Sequence, residues 1–296
     1  MEERIGKILS RVFLERPRES SKADFGRVLV IGGSEEYPNA PVIAAKAALR
    51  SGVGYVAFAG LSDVHHNPVP DSVIEEPGLR REALEDGTFG KKIGRYGAIV
   101  FGNGIADNSE NAALLKALLA DYEGDLVIDA TGLDVLRHIG LEALKAKERL
   151  PEIVLTPHLG EYARLFGLPY RKVPVDSLAG EAFDLATEYA VTICLKGASV
   201  VAAEPYSGFS IIPGENPSLA RAGTGDALAG LIGGFLATKQ LSQKEACEAA
   251  YGALLQTAEY LDRRILGGTY GIDEIISAMP RALFEALPVQ GAKENG

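Results

Sequence analysis

The sequence predicts an α/β fold: a central, mostly parallel sheet with helices on both faces. Three observations carry that expectation. Short, near-continuous apolar runs recur along the chain, as strands do when helices cover both sides of a sheet. Stretches with helical apolar spacing separate them, the alternation of βαβ units with right-handed crossovers. Most runs close on glycine or polar residues, and ligands of such sheets bind beyond the C-terminal strand ends.

Ile5, Ile8, Leu9, Val12 and Phe13 fall at helical spacing and predict an N-terminal amphipathic helix. Arg27-Val28-Leu29-Val30-Ile31 reads as a buried strand closed by Gly32-Gly33-Ser34. The alanine-rich residues 40–50 predict a helix, ended by Gly52 and Gly54, and residues 55–59 a second strand. Residues 61–87 are polar and irregular and hold three prolines, so an excursion outside the sheet is expected there. Ala98-Ile99-Val100-Phe101 is a strand ending at Gly102-Asn103-Gly104, and a helix follows over residues 110–119. Leu126-Val127-Ile128-Asp129, Ile153-Val154-Leu155-Thr156 and Thr192-Ile193-Cys194-Leu195 are further strands, with helices near residues 160–166 and 177–189. Residues 199–203 and 209–212 are set to pair antiparallel. With no internal repeat or linker, residues 1–289 are expected to form a single domain and residues 290–296 a disordered tail.

Composition narrows the function classes. A net charge of −10 repels nucleic acid and anionic membranes, so neither is an expected partner. Backbone amides with one or two cations still suffice to hold an anionic nucleotide. Only Cys194 and Cys247 are present, far apart, which argues for a reducing compartment and against a zinc or disulfide framework. The start, Met1-Glu2-Glu3-Arg4, has no apolar core behind it and no run reaches membrane-spanning length, so a cytoplasmic protein is expected.

The strongest constellation is Ala222-Gly223-Thr224-Gly225-Asp226, followed by an apolar run that predicts a helix. Gly223, Thr224 and Gly225 form a tight loop whose amides converge at the helix start as an anion hole, with Asp226 in the first turn. The plain alternative is a capping aspartate. The small residues from Gly223 to Gly230 favour a ligand, because they let a phosphate approach the backbone and capping does not require them.

The other clusters end their strands on the same rim. Gly32-Gly33-Ser34 is either a ligand approach or a turn. In Thr156-Pro157-His158-Leu159-Gly160-Glu161, His158 is a candidate binding residue, and Glu161 a helix cap or a metal ligand through water. Lys196-Gly197 places a cation within reach of a phosphate, or a solvated lysine. Asp129 supports the rim or helps hold Mg²⁺. Gly102-Asn103-Gly104 is a loop expected to touch ligand. His65-His66 lacks a third ligand, and no metal site is firmly assigned. No P-loop and no glycine-rich dinucleotide fingerprint behind a strand is present.

Taken together these motifs resemble the NAD(P)H-hydrate dehydratases of the ribokinase-like superfamily. The resemblance rests on Gly32-Gly33-Ser34 with Tyr37 and Ala40, Ala48 to Gly52, Thr156-Pro157-His158 with Gly160-Glu161, Lys196-Gly197, and Asn216 ahead of the Gly223-Thr224-Gly225-Asp226 loop. It implies a ribokinase-like fold and removal of water from hydrated NADH or NADPH (NADHX or NADPHX), driven by ADP or ATP as co-substrate with Mg²⁺. It further implies Asp226 as the catalytic base, and Ala40, Gly104, His158 and Asp226 facing the hydrated dinucleotide. Lys196, Gly197, Ala198, Ser199, Val200 and Gly225 would face the nucleotide. A homo-oligomer, often a tetramer, is implied, as is functional pairing with a separate epimerase, because the chain is short for a fused epimerase domain. The chain departs from the family's pattern at Asn39, where glycine is usual, at Asn103, where proline is usual, and at Val200, where a threonine is expected. The alternatives are a ribokinase-like kinase of a vitamin precursor and a nucleotide-binding protein without catalysis.

Overall fold

The structure, a computed structural model, describes residues 2–14, 16–61, 67–76, 79, 84, 87–145 and 152–287. The expected disordered tail at 290–296 and His65-His66 lie outside the described residues.

Among the described residues nine strands form one sheet: β1 (Arg27–Gly32), β2 (Tyr55–Gly60), β3 (Val73–Glu75), β4 (Ala98–Phe101), β5 (Asp125–Ile128), β6 (Glu152–Leu155), β7 (Thr192–Lys196), β8 (Val200–Glu204) and β9 (Gly208–Ile212). Their order is β3-β2-β1-β4-β5-β6-β7-β8-β9. Pairing is parallel from β3 to β7, and β7-β8 and β8-β9 are antiparallel. The sheet is thus mostly parallel with helices packed on it, the α/β architecture that the apolar runs predict.

Consecutive residues of β1 explain why those runs are continuous. Val28 and Val30 point into one core and Leu29 and Ile31 into the other, because side chains alternate across a strand. Both faces are covered, so every position is apolar. The β4 residues split in the same way, Ala98 and Val100 from Ile99 and Phe101.

One helix anchors the first core. Thr224–Ala237 is buried from Ala227 to Ala237 and lies on both the sheet and the helix Ala40–Ala48. Its glycines permit this closeness. A β-carbon on Gly230 would lie 2.0 Å from the Ala44 carbonyl oxygen, and one on Gly233 would lie 2.3 Å from a Val100 methyl. The smallness of Gly230 is therefore a packing requirement. This corrects the expectation that the whole stretch from Gly223 to Gly230 is small for a ligand's sake.

A second correction concerns residues 61–87. They are not wholly outside the sheet, because Val73–Glu75 pairs in parallel with β2 as the edge strand. Only Val73 of that strand is buried, so it carries almost none of the apolar signal that reveals the inner strands.

The chain runs from β1 outward through β2 and β3, then returns to place β4 on the other side of β1. Such a switch point opens a crevice beyond the strand ends. Here the two loops that leave the switch point are stitched together. Gly33 N–H donates to the Asn103 carbonyl at 2.9 Å, and a β-carbon on Gly32 would lie 2.4 Å from that oxygen.

Candidate active site

Asp226 stands in the first turn of Thr224–Ala237, whose N-cap is Gly223 at φ 88°. That left-handed turn is the one place in the loop where glycine is needed for conformation. Among the described residues, the backbone N–H groups of Gly225 and Asp226 donate to no protein acceptor, while that of Thr224 makes a long 3.4 Å bond to Arg221 O. Free first-turn amides at a helix N-terminus form an anion site. The Thr224 hydroxyl is buried there without a partner.

A buried polar network supports the aspartate. The Asn103 side-chain amide donates to Asp226 Oδ1 at 2.7 Å and to Asp129 Oδ2 at 3.0 Å. Asp129, 1% exposed, also accepts from Thr156 Oγ1 at 2.6 Å and from Lys196 Nζ at 2.6 Å. Lys196 lies 3.8 Å from Glu161 as well. The strand ends of β4, β5, β6 and β7 thus converge on one cluster of charges.

Electrostatics follow from that cluster. Burial, reinforced by the negative charges of Asp129 and Glu161, pushes the Asp226 carboxyl up to about 7, while the Asn103 amide and Lys196 oppose the rise. A carboxylate with its midpoint near neutral pH is matched to general-base work. Burial works to lower the pKa of Lys196, but Asp129 and Glu161 outweigh it, so the ammonium is held charged.

His158 caps the helix Leu159–Leu165. Its Nδ1 accepts from the Gly160 and Glu161 amides at 2.9 and 3.2 Å, and Glu161 returns the favour to His158 N–H at 2.8 Å. Of the two roles expected for Glu161, this is the capping one. An accepting Nδ1 puts the proton of a neutral ring on Nε2.

Beside the helix start lies a cavity of about 710 Å³, lined by His158, Lys196, Gly197, Ala198, Val200, Thr224 and Gly225 among others. Ser199, in the bend between β7 and β8, is buried and does not line it. Ala40 and Gly104 lie instead beside Tyr37, where a β-carbon on Gly104 would come 2.5 Å from Tyr37 O and 2.9 Å from Ala40. A second cavity of about 760 Å³ is lined by Gly33, Ser34, Tyr37 and Ile105 among others. Lys196 lines the 710 Å³ cavity while one of its three ammonium donors is held by Asp129.

Several wall residues lie outside the predicted set. Tyr251 and Leu254, from the helix Gln243–Asp262, face the 710 Å³ cavity, and the Tyr251 hydroxyl donates to Ala198 O at 2.7 Å. Nothing local in the sequence marks a helix tyrosine as a pocket wall. Thr156 was visible only as part of its motif.

A family model described as NAD(P)H-hydrate dehydratase matches residues 28–281, most of the chain. The chain belongs to the NAD(P)H-hydrate dehydratase family. It is 31% identical to the ADP-dependent (S)-NAD(P)H-hydrate dehydratase of Neisseria meningitidis serogroup B, over 81% of this chain and 79% of that one. It is 35% identical to a bifunctional NAD(P)H-hydrate repair enzyme of Gloeobacter violaceus over 76% of this chain, but spans 43% of that relative. A similar enzyme of Methanopyrus kandleri is spanned over 53%, so the chain covers about half the length of such bifunctional relatives. Among solved structures, an ADP/ATP-dependent NAD(P)H-hydrate dehydratase of Bacillus subtilis, co-crystallised with ATP and Mg²⁺, superposes at a TM-score of 0.76, with 25% identity and 97% of both chains covered. A ribokinase-like protein of Enterococcus faecalis superposes at 0.78, with 26% identity and 95% of both chains covered. The mostly parallel sheet of the family is therefore the ribokinase-like fold.

Proposed function

We propose that this dehydratase-family chain removes water from NADHX or NADPHX at the expense of ADP or ATP. The observation that carries the reading is Asp226: a half-buried carboxylate with its midpoint near neutrality, in the first turn of a helix whose first amides are free, beside a cavity lined by the neighbouring Thr224 and Gly225.

In this mechanism Asp226 takes the proton from the C6 hydroxyl of the hydrated ring as that oxygen attacks the terminal phosphoryl group. The O–H bond breaks, an O–P bond forms, and the nucleotide leaves shorter by one phosphate. The amides of Gly225 and Asp226 stabilise charge on the transferred phosphoryl oxygens, the larger share of catalysis in such reactions. The ring nitrogen's lone pair then expels phosphate from C6, and loss of a proton from C5 restores the double bond. Base assistance is worth about 10²–10⁴-fold in rate.

Lys196, Gly197, Ala198, Val200 and Gly225 are assigned to the nucleotide side, and Ala40, Gly104 and His158 to the dinucleotide side. Among the described residues no group of three or more His, Cys, Asp or Glu side chains is placed to hold a metal ion. Asp129 and Glu161 are occupied by Lys196 and the helix cap. Any Mg²⁺ would therefore be held chiefly by the polyphosphate. Pairing with an epimerase and assembly as a homo-oligomer belong to the same proposal. Among the described residues no helix is long and apolar enough to cross a membrane.

The test incubates the purified chain with hydrated NADH or NADPH and each nucleotide. The expected result is recovery of the reduced-nicotinamide absorbance with stoichiometric release of phosphate. A stable phosphorylated product without that recovery would instead mean a kinase, and nucleotide-induced thermal stabilisation without turnover would mean a binding protein.

A further inference from the structure

Asn103 is fully buried at the switch point, yet it is a polar residue with no ligand-facing requirement of its own. Its backbone is held on three sides. Gly102 and Gly104 flank it at φ 119° and 70°, and its carbonyl accepts from Gly33. A β-carbon on Gly102 would lie 2.1 Å from Asp129 O, so the loop packs directly against the backbone that leaves β5.

Both side-chain hydrogens are used on carboxylates, one on Asp226 Oδ1 and one on Asp129 Oδ2. The side-chain oxygen is buried without a partner. Turning the amide over would set that oxygen against two carboxylates, so the network fixes which way the group points. Leaving a buried acceptor unpaired is costly, and two charge-assisted bonds offset it. Among the described residues Asp226 Oδ2 has no hydrogen-bond partner, and it is not among the buried unpaired atoms.

We propose that Asn103 is a positioning residue that bridges Asp226 to the Lys196-anchored Asp129 and leaves Oδ2 of Asp226 as the oxygen that meets the acceptor hydroxyl. The inference rests on the proposed dehydration for its kinetic readout and extends it to a residue outside the substrate contacts. The bridge does two things. It stops the carboxylate from rotating, and it stabilises the ionised form against burial and against the neighbouring negative charge of Asp129.

Two variants test it, Asn103→Ala and Asn103→Pro. The second breaks no backbone hydrogen bond, because among the described residues the Asn103 N–H donates to no backbone acceptor. With the bridge lost, the acid limb of the kcat profile moves up by about one unit, a tenfold effect at low pH. The loss in kcat is therefore about tenfold or more near pH 6 and shrinks above about pH 8, while KM for the nucleotide changes less than about twofold. A loss equal at every pH, or no loss, would overturn the bridge. A direct reading needs no variant of Asn103. In the unmutated protein the side-chain amide protons of Asn103 should shift with the same midpoint as Asp226, about 7, and the shift should vanish in Asp226→Asn. Amide signals that ignore this titration would also overturn the proposal. If the unmutated chain fails to dehydrate the hydrate, the functional reading falls, and the amide titration still judges the bridge.

Discussion

Replacing Lys196 with methionine removes the ammonium from a carboxylate that has almost no access to water. Nζ sits 2.6 Å from Asp129 Oδ1, with the two side chains 17% and 2% exposed. At that separation and an effective dielectric near 20 the gross attraction is about 6 kcal/mol. Much of it offsets desolvation, but breaking a buried pair from one side costs about 3–5 kcal/mol, because the remaining charge stays buried. Asp129 keeps its bonds from Thr156 and Asn103, which argues for the lower end, about 3 kcal/mol. For a large domain that corresponds to a fall in Tm of roughly 6–10 °C. The assay is thermal unfolding by circular dichroism near neutral pH, with Asp129→Asn/Lys196→Met alongside. The double variant should recover most of the loss, because it leaves no uncompensated charge. A single variant within about 1 °C of the unmutated protein would refute the reasoning, since a buried unpaired carboxylate cannot be that cheap.

Val200 is buried and lines the 710 Å³ cavity, and on the proposed assignment Val200→Thr should tighten ADP or ATP binding up to about tenfold, at a cost in stability of about 1–2 kcal/mol for the buried hydroxyl. Isothermal titration measures both nucleotides, and unchanged or weaker binding would take residue 200 off the nucleotide. Gly225→Ala places a methyl 3.4 Å from Lys196 Nζ, ordinary contact distance, so the variant should fold with unchanged Tm. The same methyl narrows the space above the free amides, and nucleotide affinity should fall about tenfold in the same titration. The Asp226 carboxyl binds its proton more tightly folded than unfolded, about 7 against 3.8. Its contribution is therefore favourable at low pH and is lost as pH rises from about 4 to about 7. The urea midpoint of the unmutated protein should fall across that window more steeply than that of Asp226→Asn, and equal slopes would contradict the burial argument.

The parallel sheet was legible because strands covered on both faces have no polar alternation to blur them. Val28 to Ile31 and Ala98 to Phe101 show this, each serving two cores at once. The edge strand Val73–Glu75 was not legible, because three residues with one buried position give no period to read. The helices Gln243–Asp262 and Ile272–Ala286 lie outside the elements predicted in order, although Ser242 with Glu245 spells a capping box ahead of the first. At the site, a glycine loop before an apolar run and a strand-ending lysine announce an anion site by type and position alone. What sequence does not carry is who holds whom. Lys196 is drawn to Asp129 rather than to open solvent, His158 is spent partly on its own helix, and Gly230 is small for Ala44. Tyr251 reaches the cavity from residues far along the chain, and only the packed tertiary structure brings it there.

The most direct test is single-turnover conversion of NADHX by Asp226→Asn with bound nucleotide, beside the unmutated chain. A variant that folds, binds ADP or ATP with unchanged affinity and loses about 10²–10⁴-fold in rate is the predicted result. Turnover within a few-fold of normal would mean that some other group takes the proton.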